Sequence, residues 1–125
     1  MTTFVLPADA VHESAALCDY LVDRLDSDDI VHAVSTAIEA NSPQARRDSE
    51  DAQNAIYARL GAIATVERDT ETAESQPAAL RSVAERTTAD EIIVSNVVAE
   101  ADKYDISHLF ENAMCSVVVV AGAVS

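Results

Sequence analysis

Apolar positions along this chain switch repeatedly between short continuous runs and a spacing of three to four. Thr3-Phe4-Val5-Leu6-Pro7 is a short apolar run closed by proline, the pattern of a strand. Val11, Ala15, Cys18, Val22 and Leu25 follow at helical intervals and define one face of a helix. The acidic turn Asp26-Ser27-Asp28-Asp29 breaks that face, and Ile30 to Ser35 is a second, β-branched strand. Ser42-Pro43 carries the signature of a helix start, serine as N-cap and proline in the first turn. Ala45, Ala52, Ile56 and Leu60 continue that helix to Gly61, which suits a C′ position. A more polar strand is expected over 62–68, at a sheet edge. Ser75 and Pro77 open a helix with its face on Leu80, Val83, Ala84 and Thr87, and Glu91 to Ser95 is a fourth strand. Ile106, Leu109, Phe110 and Ala113 have helical spacing, and Ser116 to Ala121 is a last, valine-rich strand.

The predicted order is thus β-α-β-α-β-α-β-α-β in a single domain over residues 1–125. Alternation with short connections implies an α/β fold, a five-stranded parallel sheet doubly wound by helices, with strand order 3-2-1-4-5. The continuous apolar runs at 92–94 and 117–120 fit strands buried on both faces. Such sheets take ligands beyond the carboxyl ends of their strands, where the strand order reverses. That singles out Pro7-Ala8-Asp9, Ser35-Thr36, Ser95-Asn96 and the segment 97–104.

Composition narrows the functional classes. The 125 residues carry 22 acidic and 8 basic side chains, a net charge of −14, so nucleic acid and anionic membrane surfaces are not expected partners. At 49% hydrophobic residues the chain is expected to fold, and no apolar run approaches the length of a membrane span. No basic region precedes an apolar stretch, so no signal peptide is expected and the reading is cytoplasmic. Seven of the basic residues are arginine, and Lys103 is the single lysine. With abundant Ala and Val, this balance resembles proteins of salt-accumulating halophilic archaea. Cys18 and Cys115 lie in apolar stretches without CxxC spacing and read as buried thiols.

Chemical motifs are sparse. Gly61 and Gly122 are the only glycines, which excludes a P-loop or a dinucleotide-binding turn. His12, His32 and His108 lack metal-ligand spacing, no catalytic constellation emerges, and the protein is read as a non-enzyme without metal. A receiver-like phospho-acceptor domain is an alternative, with Asp9 and Asp69 as its carboxylates, although nothing basic follows Val120.

The sequence most resembles the universal stress protein family. Leu6-Pro7-Ala8-Asp9 is similar to the end of that family's first strand. Ser75-Gln76-Pro77-Ala78-Ala79-Leu80 leads through Val83-Ala84-Glu85 to Ala89-Asp90-Glu91-Ile92-Ile93-Val94, similar to its third helix and fourth strand. Asn112-Ala113-Met114-Cys115-Ser116 followed by four valines is similar to its closing segment. ATP-binding members carry Gly-x2-Gly-x9-Gly-Ser/Thr after the fourth strand, whose glycines let backbone N–H groups curl around phosphates. Here Asn96 and Lys103 stand where the first and third glycines would, only seven positions apart, and Tyr104 replaces the small hydroxyl residue. The resemblance therefore implies the branch that has lost ATP binding: a non-catalytic, dimeric stress or regulatory module acting on a protein partner. An ATP- or AMP-binding member with a divergent loop is the alternative. Asp9, Ser95, Asn96 and Lys103 would form the residual pocket, with Asp9 read first as a cap for the following helix and Lys103 first as a surface ion-pair partner. Val117, Val118, Val119 and Val120 form an uncharged edge expected to pair with a second copy.

Overall fold

The computed structural model describes residues 1–37, 42–95 and 115–120. Among them, strands and helices alternate as β1 (Thr3–Pro7), α1 (Val11–Leu21), β2 (Ile30–Ala37), α2 (Pro43–Leu60), β3 (Thr65–Thr72), α3 (Gln76–Thr87), β4 (Glu91–Ser95) and β5 (Ser116–Val120). Every strand pair is parallel and the order is β3-β2-β1-β4-β5, as expected. The helix expected over 106–113, Ala121, and the site candidates Asn96 and Lys103 lie outside the described residues.

Successive residues of the central strands enter opposite cores. Phe4 and Leu6 of β1 join Leu17, Leu21, Ile56 and Leu60 beneath α1 and α2. Val5, between them, joins Val34, Leu80, Val83 and Ile92 beneath α3. Right-handed crossovers give this division, because the chain winds one way through β1, β2 and β3, then returns past β1 to β4 on the other face. Each fully buried Leu or Ile contributes about 1.5–3 kcal/mol relative to exposure. At the amino end of the sheet two aspartates hold the start of β1. Thr2 N donates to Asp29 Oδ1 and Thr3 N to Asp90 Oδ2, each at 2.8 Å.

The second strand runs on to Ala37 rather than ending at Ser35, and three further features differ from the sequence expectation, each for a physical reason. The first helix ends at Leu21 rather than reaching Leu25. Leu25 is still buried, but from a turn in which Asp29 Oδ2 accepts the Asp26 N–H at 2.8 Å. The third strand runs over Thr65–Thr72, not 62–68. Ile63 and Ala64 both donate their N–H groups to Leu60 O and form the turn that ends α2. All eight residues of β3 pair with β2, so pairing rather than its own hydrophobicity sets its length. Gly61 is the right-handed C-cap of α2, not a left-handed C′ residue. Its want of a side chain answers a close approach, since a Cβ there would lie 2.6 Å from Tyr57 O. Among the described residues the left-handed non-glycine position is Thr88, the C-cap of α3, at φ 54° and ψ 50°.

Candidate functional site

Proline closes β1 and the chain turns at Ala8 and Asp9, beside the point where the strand order reverses. The turn is fixed by β2: Ala8 N donates to Val34 O at 2.7 Å, and Ser35 Oγ donates to Ala8 O at 2.7 Å. This aims the Asp9 carboxylate between three elements. Its Oδ1 accepts from Thr36 N of β2 at 2.9 Å and from Ser49 Oγ of α2 at 3.1 Å. Its Oδ2 accepts from Gln76 Nε2 of α3 at 2.7 Å. Gln76 is placed by the capped start of α3, where Ser75 Oγ accepts from Ala78 N. Ser42 caps α2 in the same way, accepting from Ala45 N, and Ser49 follows within that helix.

Asp9 is therefore not the cap of the first helix. The N-cap of α1 is Ala10, which makes no side-chain cap hydrogen bond. Asp9 stands one residue too early for the role, and its carboxylate is held by the three donors on the opposite side. The first turn of α1 meets the strand ends through other residues. Ser14 Oγ donates to Pro7 O at 3.2 Å, and Ser95 Oγ, at the end of β4, donates to Glu13 Oε2 at 2.7 Å. Burial pushes the Glu13 carboxyl above its ordinary range; the Ser95 hydrogen bond opposes this and the Asp9 charge adds to it.

Of the sequence candidates, the structure brings Asp9 and Thr36 into direct contact and draws in Ser35 through Ala8. Ser95 is separately tied to Glu13. Glu13, Ser49 and Gln76 were not singled out by sequence reasoning. Asp69, the second carboxylate of the receiver alternative, lies within β3 rather than beyond its end. It accepts from or pairs with His32 Nδ1 at 2.8 Å and lies 3.9 Å from an Arg86 nitrogen, so it is not poised beside Asp9. Arg86 also holds Glu71 at 2.9 Å, and together with Ser82 it keeps the Glu71 carboxyl below its ordinary range. No group of three metal-ligating side chains occurs among the described residues. Both cysteines are free and pack toward opposite faces of the sheet. Burial pushes the Cys18 thiol up to about 11, which leaves it a poor nucleophile. A separate cleft of about 200 Å³, lined by Ala84, Ala89, Ile92 and Cys115 among others, contains no residue of the Asp9 cluster. The strand-order argument favours the Asp9 end as the candidate site over this cleft.

Fold and site together define an open, doubly wound α/β domain with a cluster of polar side chains at its switch point. Solved structures of the universal stress protein family share that fold. One from Arabidopsis thaliana, with AMP bound, aligns at a TM-score of 0.71 and 12% identity over 97% of this chain and 92% of that one. One from Burkholderia pseudomallei aligns at 0.66 and 16% identity over 95% of each chain. A universal stress protein in complex with cAMP aligns at 0.62 and 15% identity over 96% of each. No protein-family model and no curated protein matches the sequence.

Proposed function

We propose that this protein is a universal-stress-protein-like module that does not bind ATP and acts, as a homodimer, through contacts with a protein partner in stress-related regulation. The observation that carries this reading is the engagement of Asp9. The carboxylate at the mouth of the crevice is already satisfied by donors from β2, α2 and α3, and a ligand must displace them. The sequence supports it, because the segment after β4 has no glycine between Asn96 and Ala121 to form a phosphate cradle. Ser95, read at first as a pocket residue, spends its hydroxyl on Glu13. The rival reading, an adenine-nucleotide-binding member with a divergent loop, draws on the fold neighbours solved with AMP and cAMP. Calorimetry with Mg-ATP and with AMP in molar KCl separates the two. The proposal expects no saturable heat, and a low-micromolar dissociation constant overturns it.

The dimer part rests on β5. Ser116 N donates toward β4, to Asp90 O at 3.2 Å. In a parallel ladder alternate residues face alternate sides, so Val117 and Val119 point their N–H and C=O groups to the outer edge. Antiparallel pairing of two β5 strands about a twofold at Val118 uses both outward residues, Val117 of one protomer opposite Val119 of its partner. The two Val118 residues then form a non-hydrogen-bonded pair with Cα atoms about 4.5 Å apart, within disulfide range. Val118→Cys is expected to cross-link into a covalent dimer on oxidation, while Val117→Cys and Val119→Cys are not. A wild-type monomer by sedimentation at high concentration rules the dimer out.

A further inference from the structure

The first turn of α1 itself laces the switch-point crevice. Two consecutive residues of that turn reach the two strands flanking the reversal, Ser14 to the end of β1 and Glu13 to the end of β4. Ser14 and Ser95 are wholly buried, and Glu13 is only 9% exposed. Glu13 is the third residue of α1, a position from which an acidic side chain ordinarily folds back onto the N-cap amide. Here it extends to Ser95 of β4 instead. Asp9 contributes a second carboxylate at the same end of the sheet, close enough for its charge to act on Glu13. Open α/β sheets admit ligands through this gap, with anionic groups directed toward a helix N-terminus. An anion entering here meets two carboxyl groups where little water screens them.

We propose that Glu13 is the residue that closes the crevice to anionic ligands, its own carboxyl filling the gap between α1 and the end of β4. The inference rests on the reading that the chain binds no nucleotide, and it adds one side chain to the engaged Asp9 and the missing glycines as a cause of that property. Glu13→Gln keeps the size and an acceptor for Ser95 Oγ while removing the charge; Glu13→Ala also opens the space.

Equilibrium dialysis in molar KCl tests this with AMP and with adenosine, which has the base and sugar without the charge. Circular dichroism and melting in the same salt establish that each variant is folded. The wild type is expected to hold AMP only weakly, with a dissociation constant above about 1 mM. Both variants are expected to gain AMP affinity by at least about tenfold, with adenosine changing by less than about threefold. AMP affinity unmoved in both variants, or AMP and adenosine rising together, overturns the role of Glu13 and leaves the nucleotide-free reading standing. Low-micromolar AMP binding by the wild type overturns both.

Discussion

Glu13 and Asp9 are both carboxylates at one end of the sheet, yet their environments set them opposite tasks. Glu13 is buried with a single hydroxyl donor, so the native state holds its proton to higher pH than the unfolded chain does. Below the ordinary carboxylate range both states are protonated and its carboxyl costs nothing. As pH rises from there through the raised native value, the unfolded state ionises first and stability falls. Glu13→Gln is therefore expected to be more stable than wild type at neutral pH, with the difference vanishing in acid. Urea midpoints of the two proteins across the acidic-to-neutral range check this. Asp9 instead accepts three hydrogen bonds, and Asp9→Ala strands Thr36 N, Ser49 Oγ and Gln76 Nε2 together. Hydrogen bonds to charged groups contribute about 1.5–3 kcal/mol each and are not additive, so a loss of about 3 kcal/mol is expected in denaturant unfolding. Asp9, Ser35, Thr36 and Ser95 were legible in the sequence because they fall where strands end. Ser49 and Gln76 were not, since only tertiary folding brings mid-helix and helix-start side chains to Asp9. Glu13 did leave a trace: an acid three residues after Ala10 is half of a capping box whose other half is missing.

Among the elements, the two edge strands contrast. The edge strand β3 carries Glu67, Arg68, Asp69 and Glu71, charges that discourage further strand addition, whereas Val117 to Val120 of β5 carry none. Val119 is 41% exposed and is the edge residue where lysine is tolerated best by the core. Val119→Lys is expected to yield a folded monomer, read by sedimentation against the dimer proposed for the wild type. The same contrast explains which elements the sequence revealed. Central strands such as Ile92-Ile93-Val94 are apolar on both faces and announce themselves. By contrast β3 carries no fully buried side chain, and its last four residues, Asp69-Thr70-Glu71-Thr72, resemble a loop until β2 is beside them. Helix ends behave likewise: Ser42 and Ser75 were readable caps, while no sequence rule marks Thr88 as a left-handed terminus. A β-branched residue there is strained, so Thr88→Gly is expected to stabilise the fold by about 0.5–1 kcal/mol, after the added freedom of the unfolded chain is subtracted. Thermal unfolding measures it.

For the whole molecule, a net charge of −14 leaves the carboxylates without enough cations to pair. Among the described residues the arginines that do pair, Arg59 with Asp19, Arg81 with Glu85 and Arg86 with Glu71 and Asp69, make partly or largely exposed contacts of small individual worth. Raising KCl from about 0.1 M to molar shortens the screening length from about 10 Å to about 3 Å. The melting temperature is therefore expected to rise by many degrees over that range. Equal melting temperatures would remove the case for a halophilic setting. The two aspartates at the amino end of the sheet carry a consequence of another kind, in exchange kinetics. Amides at the first residues of a strand ordinarily trade their protons with solvent quickly. Thr2 and Thr3 give theirs to Asp29, which directly precedes β2, and to Asp90, which directly precedes β4. Deuterium should therefore reach these two positions only when β1 parts from a neighbouring strand, at rates near those of Val5 and Leu6. Fast exchange at Thr2 and Thr3 beside slow exchange at Val5 would show that the carboxylates do not hold that end shut. Slow exchange at all four would make two surface-proximal amides reporters of the opening of the central sheet.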